Sequence, residues 1–435
     1  MIQKNKLIVK LFIIFIAISV GVILYFLYPD LFKKQNIQVE KVEKSIEFQK
    51  LDIQRVITNQ KYYEYTHGVN SPIFNSKNEK LLYTAGDLFS LPKIYSLDIS
   101  SQQRQELSNS FGFVSQVIWS PDYNYAIIEM SNLKYELGVE QSVFLVKDAP
   151  DGVSTFWFYD LSNNKTIYLD WKMQAVSWSP QGDKIAYIYQ EDKKHYTLYT
   201  SNPDGSQAKK IIDLRGEGTE YFKDIAVANQ EDNYLYYWDG GLAWSPLGND
   251  IIYWGKGSPG LILVGLDGNE KILKQAELVD GAQWSPDGNL ILYSVQQTKD
   301  AKVILALMNA SDNFKEQVVD DKLEFNVPRC VWSKKDAEVV YCLSLAELGN
   351  KFYKINLNKK EITGLIDLDK YESRELFSRD SLSLAWVKDK NDKGFLLQEK
   401  KRKITYIFLD PKEEKLYFKF FDILYAINLK EKVQE

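Results

Sequence analysis

The chain has 435 residues, of which 45% are hydrophobic and 14% aromatic, which is enough apolar material for a packed core and too much for a disordered chain. This length predicts two or three domains or one large repeat array. A formal net charge of −5 and a pI near 5.5 argue against nucleic-acid binding, because surfaces that bind nucleic acids are basic.

The N-terminus contains a predicted membrane anchor. Residues 11–28, LFIIFIAISVGVILYFLY, carry no charged side chain, and with the apolar residues before them they are long enough to cross a hydrocarbon core of ~30 Å. Lys4, Lys6, Lys10 and the terminal amine precede this run, whereas Lys33 and Lys34 directly follow it with Asp30 before them. This excess predicts a cytoplasmic segment at 1–10 and an exported remainder. A cleaved signal peptide is the alternative, but no small-x-small site or lipidation cysteine follows the run. Residues 29–50 are polar and predict a short stalk.

A short phrase recurs along the rest of the chain. Trp-Ser-Pro occurs four times, and weaker variants of the phrase begin at Trp332, Phe74 and Phe377. Successive positions are 45, 59, 66, 40, 48 and 45 residues apart, and the shorter intervals match the roughly 40–50 residues of a four-stranded propeller blade. The two long intervals require insertions. The repeat tryptophans are Trp119, Trp178, Trp244, Trp284 and Trp332.

Each unit has the pattern of four short antiparallel strands. The first strand ends at the tryptophan, and Ser-Pro-Asp-Gly predicts a type I turn, with proline at its second position and glycine to close it. An apolar run such as 291–294 then predicts a strand buried on both faces. A hairpin such as 261–273, with Asp and Gly at its tip, supplies the third and fourth strands. The tryptophan fills the wedge between neighbouring blades, so this phrase is interpreted as scaffold.

These motifs carry a family resemblance. Trp-Ser-Pro-Asp-Gly followed by a Leu-Tyr-x-x-Asn/Asp-x-Asp-Gly hairpin resembles the repeats of TolB-like β-propellers, which also occur in the propeller of prolyl-oligopeptidase-type enzymes. The resemblance covers about residues 68–429 and implies an all-β propeller of four-stranded blades. It implies little about activity, although TolB-like propellers act as interaction platforms at the cell envelope.

The predicted propeller extends over 51–435, with clear repeats at 68–410 and a closing hairpin at 415–429. Residues 395–408 fit the outer hairpin of the unit that begins at Phe377, whereas the segment 408–412 could instead open an eighth unit. Residues 46–65 could supply a missing strand, because propellers close their ring by mixing strands from both termini. We expect seven to eight blades, with an eighth built from both ends preferred and seven as the alternative.

The sequence contains no recognisable catalytic motif. A prolyl-oligopeptidase-type enzyme needs a Gly-x-Ser-x-Gly elbow, and the nearest phrase, 255–260, is out of register. The only histidines are His67 and His195, so a histidine-cluster metal site is excluded, and the loop 148–152 has too few carboxylates for calcium. We therefore predict no catalytic residue, no metal and no cofactor, although carboxylates over the channel could still form an acid/base pair.

Cys330 and Cys342 are the only cysteines. They flank the turn of the Trp332 unit symmetrically, so a regular hairpin places them on adjacent strands facing each other. In an exported domain they could form a disulfide. Buried free thiols are the alternative, because direct cross-strand geometry is strained.

Two insertions are candidate recognition sites. Residues 132–154 lengthen the Trp119 unit and residues 215–241 lengthen the Trp178 unit. Loops on a rigid propeller commonly carry recognition, and Tyr and Trp are enriched in binding hot spots. The alternative is that the alternation in 234–238 marks an ordinary blade strand. The predicted binding residues are Tyr221, Phe222, Tyr234, Tyr236, Tyr237 and Trp238.

Taken together, these features predict a bacterial, membrane-anchored propeller that binds a protein or a cell-envelope polymer and is not an enzyme. The N-terminus would lie inside and the propeller outside, in the periplasm or at the cell surface. The alternative is a propeller hydrolase or lyase that acts on polysaccharide through channel carboxylates.

Overall fold

A computed structural model describes the chain from residue 48 to residue 432 with gaps. The described residues are 48–49, 51–56, 70–75, 77, 79–87, 90–132, 146–150, 153–192, 195–214, 240–255, 258, 260–276, 278–296, 302–321, 323, 325–344, 351–368, 386–387, 395–396, 404–420 and 423–432. The chain divides into two units, Met1–Ile46 and Glu47–Glu435, and every described residue belongs to the second. The predicted anchor at 11–28 lies outside the described residues. Within the described ranges, no helix is long and apolar enough to cross a membrane.

Seven four-stranded antiparallel sheets form the blades of a propeller. The outermost strand of blade 7 comes first in the chain and is β1, Leu51–Arg55. Blade 1 consists of β2 Asn70–Phe74, β3 Leu81–Asp87, β4 Ser90–Asp98 and β5 Gln103–Glu106. Blade 2 consists of β6 Phe113–Trp119, β7 Tyr125–Ser131, β8 Ser154–Asp160 and β9 Lys165–Asp170. Blade 3 consists of β10 Met173–Trp178, β11 Ile185–Gln190, β12 Tyr196–Ser201 and β13 Lys209–Asp213.

The remaining blades repeat the same plan. Blade 4 consists of β14 Gly240–Trp244, β15 Asp250–Gly255, β16 Gly260–Gly265 and β17 Glu270–Gln275. Blade 5 consists of β18 Leu278–Trp284, β19 Leu290–Gln296, β20 Ile304–Asn309 and β21 Lys315–Asp320, with a 3-10 helix at Ala310–Asp312. Blade 6 consists of β22 Phe325–Trp332, β23 Val339–Ser344, β24 Lys351–Asn356 and β25 Glu361–Asp367. A hairpin of β26 Trp386–Val387 and β27 Phe395–Leu396 precedes blade 7, which consists of β28 Ile404–Leu409, β29 Lys415–Phe420, β30 Ile423–Lys432 and β1.

The two ends of the chain meet in blade 7. Its strand order is β28-β29-β30-β1 from the inside outward, with Leu51 opposite Lys432 and Arg55 opposite Tyr425. The expectation that a strand from residues 46–65 completes the last blade is therefore confirmed.

The ring has seven blades, so the preference for eight is wrong. The innermost strands of blades 6 and 7 contact each other, and those of blades 7 and 1 do so as well, which leaves no room for another blade between them. Ile404–Leu409 is the inner strand β28 and not part of an outer hairpin. Phe377 lies outside the described residues, and Leu409 occupies the seventh tryptophan position.

The same hydrogen bond marks the repeat in every blade. The residue after the tryptophan position donates its backbone N–H across the turn that follows the inner strand. The seven pairs are Asn75 to Lys80, Ser120 to Tyr125, Ser179 to Lys184, Ser245 to Asp250, Ser285 to Leu290, Ser333 to Val339 and Asp410 to Lys415.

The core lies between the blades, and the tryptophans occupy the wedges there as predicted. Trp284 of blade 5 packs with Ile252 and Leu261 of blade 4. The indole Nε1 of Trp178 donates to the carbonyl oxygen of Ile118, on the preceding blade, at 2.9 Å. The phrase therefore joins neighbouring blades.

Long connections emerge at only one end of the blades. Because the strands alternate in direction, the first and third turns of each blade lie at one end, which we call the turn face. The longest of these turns is 202–208. The second turns and the connections between blades lie at the other end, the loop face. The three longest connections all emerge there, at 132–153, 214–239 and 368–403.

Candidate functional site

The aromatic residues predicted to bind a partner belong to a connection of the loop face. Tyr221, Phe222, Tyr234, Tyr236, Tyr237 and Trp238 lie outside the described residues. They remain a sequence-based prediction, but the strands on either side show that this segment leaves blade 3 and enters blade 4 at the loop face.

The described part of the other insertion is held by one buried asparagine. Asn132 is only 1% exposed. Its side-chain nitrogen donates to the carbonyl oxygens of Val146, Ala149 and Pro150 at 3.0–3.3 Å, and its side-chain oxygen accepts from the N–H of Val146 at 3.1 Å. These bonds fix the residues next to Asp148 and give the insertion an ordered base.

A groove of about 300 Å³ lies between the end of strand β9 in blade 2 and the sheet of blade 3. We call it the tyrosine groove, because three tyrosines of blade 3 line it together with one carboxylate of blade 2. Its lining residues are Leu169, Asp170, Met173, Ile185, Tyr187, Tyr189, Tyr199 and Gly205.

The three tyrosine rings form a continuous aromatic wall. Tyr187 and Tyr199 are opposite each other on adjacent strands, and their rings stack with centroids 5.7 Å apart and an interplanar angle of 12°. Tyr189 packs edge-on against Tyr199 at 6.0 Å. Such arrangements hold the rings in fixed orientations.

Carboxylates bind two of the three tyrosine hydroxyl groups of this wall. Tyr189 donates its hydroxyl to Asp170 at 3.2 Å, and Tyr199 donates its hydroxyl to Glu191 at 2.7 Å. The hydrogen bond to Glu191 raises the pKa of Tyr199 to about 12, and burial raises the pKa of Tyr187 to about 12, with Asp170 and Glu191 adding to the shift. These hydroxyl groups are therefore neutral at physiological pH, and those of Tyr189 and Tyr199 donate to Asp170 in the groove lining and to Glu191 next to it.

The chain itself places one cation at the edge of this wall. The ammonium group of Lys172 lies 5.9 Å from the ring centroids of both Trp171 and Tyr189. This distance is at the limit for a cation–π contact. Sequence reasoning missed the groove, although the alternation of Tyr187 and Tyr189 in an otherwise apolar strand signals two aromatic side chains on one face.

A second, larger cavity of about 690 Å³ lies where the ring closes. Its polar wall includes Glu79, Asp98 and Gln102 of blade 1 and Lys412 and Glu414 of blade 7. The Lys412 ammonium pairs with Glu79 at 2.8 Å, and Gln102 donates to the backbone oxygen of Val56 at 3.1 Å. These contacts bridge blades 7 and 1, so the cavity is part of the ring closure.

Cys330 and Cys342 are opposite each other on strands β22 and β23. They form a disulfide, with Cα atoms 4.1 Å apart. The bond ties the inner strand of blade 6 to its neighbour in the middle of the sheet.

Other candidate residues have structural or surface roles. His195 is exposed, and its Nδ1 lies 2.6 Å from Asp192 in the same turn. Ser258, in the phrase 255–260, is buried and donates its hydroxyl to the backbone oxygen of Gly260 at 2.7 Å. In the part of the chain that the structure describes, no group of three or more His, Cys, Asp or Glu side chains is arranged to hold a metal ion. His67 lies outside that part.

The sequence matches no protein-family model and no curated protein. Solved structures, in contrast, match most of the chain. An oligogalacturonate lyase in complex with manganese is 14% identical, with a TM-score of 0.57 over 89% of this chain and 96% of the lyase. An oligogalacturonate lyase from Vibrio parahaemolyticus is also 14% identical, with a TM-score of 0.54 over 89% of this chain and 100% of the lyase. At this identity the likeness shows the propeller fold alone.

TolB from Acinetobacter baumannii is similar over a smaller part of the chain. It is 12% identical, with a TM-score of 0.40 over 69% of this chain and 64% of TolB. This similarity is too low to separate TolB-like propellers from other propellers, so the family resemblance stays a hypothesis carried by the repeat phrase.

Proposed function

We propose that the protein is an exported, membrane-anchored binding module and that its tyrosine groove receives a basic side chain of a partner protein. This narrows the broader expectation of a protein or cell-envelope polymer. The proposal includes the anchor at 11–28 and an extracytoplasmic propeller, for which the sequence provides the support.

One observation carries the proposal: an open groove whose fixed aromatic wall is bound by two carboxylates, Asp170 in its lining and Glu191 at the Tyr199 hydroxyl. An arginine or lysine is attracted by aromatic ring faces, a contact worth about 0.5–2 kcal/mol. Asp170 and Glu191 place two carboxylates beside Lys172, and Lys210, which is opposite Tyr199 on the next strand, is already paired with Asp213 at 2.6 Å. This charge balance favours a cation.

The architecture supports a recognition role for the same region. A propeller is a rigid frame whose long connections commonly carry binding residues, and here they all emerge at the loop face. Two of the three, 132–153 and 214–239, start from blades 2 and 3, which also form the tyrosine groove. The groove therefore lies between the two blades from which these connections start.

The test is photo-cross-linking of the full chain in its native membrane, followed by identification of the cross-linked peptide. The variant D170N/E191Q removes both charges and keeps the shape of the side chains. The matched control D312N/E361Q removes two exposed carboxylates of blades 5 and 6. We expect a stoichiometric partner, cross-linked through a segment that contains Lys or Arg, with the wild type and the control but not with D170N/E191Q.

Two results would count against this function. A partner retained equally by D170N/E191Q and by the control would remove the groove from the interaction. A cross-linked segment without Lys or Arg would contradict the proposed chemistry. Trimming residues 215–238 tests the sequence-based prediction separately, because it removes the six aromatic residues and leaves both strand β14 and the groove residues in place.

A polysaccharide lyase is the second candidate. The specific observation that favours it is that the two lyases align over 96–100% of their own length, so this chain is long enough to contain that whole fold. Incubation of the full chain with oligogalacturonates, with and without Mn²⁺, tests it through the ultraviolet absorbance of unsaturated uronate. Product formation that depends on the protein would favour the lyase function. No product with or without Mn²⁺ would count against the lyase and favour the binding module.

A further inference from the structure

The inner strand of blade 6 contains a large bulge beside the central channel. Phe325 is opposite Ser344, whereas Cys330 is opposite Cys342. Four residues of β22, 326–329, therefore correspond to one residue of β23. A bulge of this kind reorients side chains and is a common feature next to binding sites.

Contacts on several sides hold the bulge in place. The Cys330–Cys342 disulfide fixes its C-terminal end. On blade 5, Gln283 donates its side-chain N–H to the backbone oxygens of Val327 and Cys330 at 3.2 and 3.4 Å. A Cβ atom on Gly281 would lie 2.5 Å from the Pro328 ring, so glycine is needed for the two inner strands to approach this closely.

The bulge presents an arginine whose charge no side chain neutralises directly. Arg329 is half-buried and, with respect to the described residues, its guanidinium makes no hydrogen bond and no ion pair. Burial lowers its pKa while the nearby Asp280 carboxylate opposes that shift, but a guanidinium remains protonated in proteins. Donors that are partly desolvated and left unmatched are costly, which indicates that they serve a ligand.

Two oxygen acceptors belong to the surroundings of this cation, and one of them, Asp280, is close enough to oppose the shift of its pKa. Asp280 of blade 5 accepts a hydrogen bond from the side-chain nitrogen of Asn326. The side-chain oxygen of Asn326 is buried and accepts no hydrogen bond from the described residues. The bulge and the facing strand of blade 5 therefore carry the Arg329 donors and the oxygen acceptors of Asp280 and Asn326 on one rigid support.

We propose that the bulge of blade 6 is a binding site for a hydroxyl-bearing carboxylate, such as a sugar acid, with Arg329 as the residue that binds the carboxylate. The guanidinium fork matches a carboxylate with two parallel N–H···O bonds. A simple anion would be repelled by Asp280, whereas a ligand that also carries hydroxyl groups can donate a hydrogen bond to that carboxylate. The site is separate from the tyrosine groove and does not depend on the function proposed for it.

The experiment uses the full chain in detergent and ligand-observed NMR titrations with glucuronate, glucose and acetate. Glucuronate has both a carboxylate and hydroxyl groups, glucose lacks the carboxylate, and acetate lacks the hydroxyl groups. We expect wild-type protein to bind glucuronate about tenfold more tightly than either of the other two. R329Q should weaken glucuronate binding by about 10- to 100-fold, the effect of losing charge-assisted hydrogen bonds.

Three further variants separate binding from folding. R104Q makes the same substitution at an exposed arginine of blade 1 that lies over the Tyr95 ring, and it should change affinity less than twofold. R329K keeps the charge without the paired donors and should weaken glucuronate binding severalfold. D280N removes the repulsion and should strengthen acetate binding severalfold, an effect that a purely structural role of these residues would not produce.

No saturable binding of glucuronate to the wild type would overturn the proposal. Equal affinity for glucose and glucuronate would do so as well, as would an affinity that R329Q and R329K leave unchanged. D170N/E191Q should bind glucuronate like the wild type, so failure of the groove hypothesis and failure of this site can be distinguished.

Discussion

Glu413 of blade 7 accepts a hydrogen bond from the hydroxyl of Ser333 in blade 6 at 2.6 Å. The same carboxylate accepts the backbone N–H groups of Lys334 and Lys335 at 2.6 and 2.9 Å. One side chain therefore completes the repeat turn of the neighbouring blade.

Blades 2 and 5 supply this carboxylate from within their own turn. The Ser285 hydroxyl donates to Asp287 at 2.5 Å, and the Ser120 hydroxyl donates to Asp122 at 2.6 Å. In the Trp-Ser-Lys-Lys-Asp turn of blade 6 the equivalent position is Lys335. Glu413 of blade 7 therefore replaces the carboxylate that the blade 6 turn lacks.

We expect E413A to destabilise the protein more than K412A. Loss of Glu413 leaves Ser333 and two backbone N–H groups without their acceptor, which costs about 1–3 kcal/mol. The K412A substitution, one residue earlier, removes only an exposed ion pair with Glu79, which is worth about 0–1 kcal/mol. Urea unfolding of the two variants measures the difference, and equal midpoints would show that the inter-blade contact does not stabilise the ring.

The disulfide of blade 6 gives a second prediction. The two cysteines are 12 residues apart, and a closed loop of this length stabilises a fold by about 3 kcal/mol in the chain-entropy description. We expect C330S/C342S to lower the unfolding free energy by about this amount and to weaken glucuronate binding, because the bulge loses its C-terminal attachment. Mass spectrometry after alkylation checks the oxidation state. Two alkylated thiols in protein isolated from its native compartment would contradict the disulfide.

The repeat tryptophans differ in their hydrogen bonds, and this predicts unequal effects of the same substitution. Trp178 donates its indole N–H to Ile118 of the preceding blade, whereas the Trp119 Nε1 is buried and has no partner among the described residues. W178F and W119F remove a similar ring volume. We expect W178F to be more destabilising by about 1 kcal/mol, the net value of a hydrogen bond. Thermal unfolding compares the pair, and a larger effect of W119F would contradict the assignment of the bridging role.

Much of the fold could be predicted because the turn chemistry is local. Ser285, Asp287 and Gly288 act within six residues of Trp284, so the phrase itself shows where an inner strand ends. The start of the last blade could not be predicted, because its sequence departs from the repeat phrase. Leu409 and Asp410 replace Trp and Ser there, and the hydrogen bond from Asp410 to Lys415 reproduces the turn without reproducing its sequence.

The candidate sites could not be predicted because they join different blades. Asp170 and Tyr189 belong to blades 2 and 3, and Asp280 and Arg329 belong to blades 5 and 6. Their proximity depends on how neighbouring sheets pack and on a bulge in β22, and neither leaves a pattern at fixed spacing. The aromatic residues of 215–241 stand out by their composition, but composition does not show where side chains lie in the fold.

The turn carboxylates predict acid sensitivity. Hydrogen bonds from the Ser100 hydroxyl and the Ser101 N–H lower the pKa of Asp98 to about 2. Burial opposes a similar shift in Asp287, but hydrogen bonds from Ser285 and Asn289 outweigh it and lower the pKa. Carboxylates with a lowered pKa in the folded state contribute stability above the unfolded value of about 4, and this contribution is lost as the pH falls towards 2.

We therefore expect the melting temperature to fall between about pH 4 and pH 2. D98N should flatten this dependence, because an amide accepts the same hydrogen bonds without titrating. E361Q, at an exposed position of blade 6, is the matched control and should follow the wild type. A D98N profile identical to the wild-type profile would show that this turn does not contribute to the acid transition.

The N-terminal segment gives the last prediction. If residues 11–28 anchor the chain, the full-length protein stays with membranes during an alkaline carbonate wash, and deletion of 1–28 releases it, because a run of this length and hydrophobicity inserts into the hydrocarbon core. Peripheral binding through charged residues would not survive the wash. A C-terminal alkaline phosphatase fusion, which is active only outside the cytoplasm, should be active if the excess of N-terminal lysines sets the orientation.

N-terminal sequencing of the membrane-bound protein distinguishes the anchor from a signal peptide, since only the anchor retains the residues before the apolar run. A released protein that begins after residue 28 would show that residues 11–28 belong to a cleaved signal peptide and would contradict the anchor.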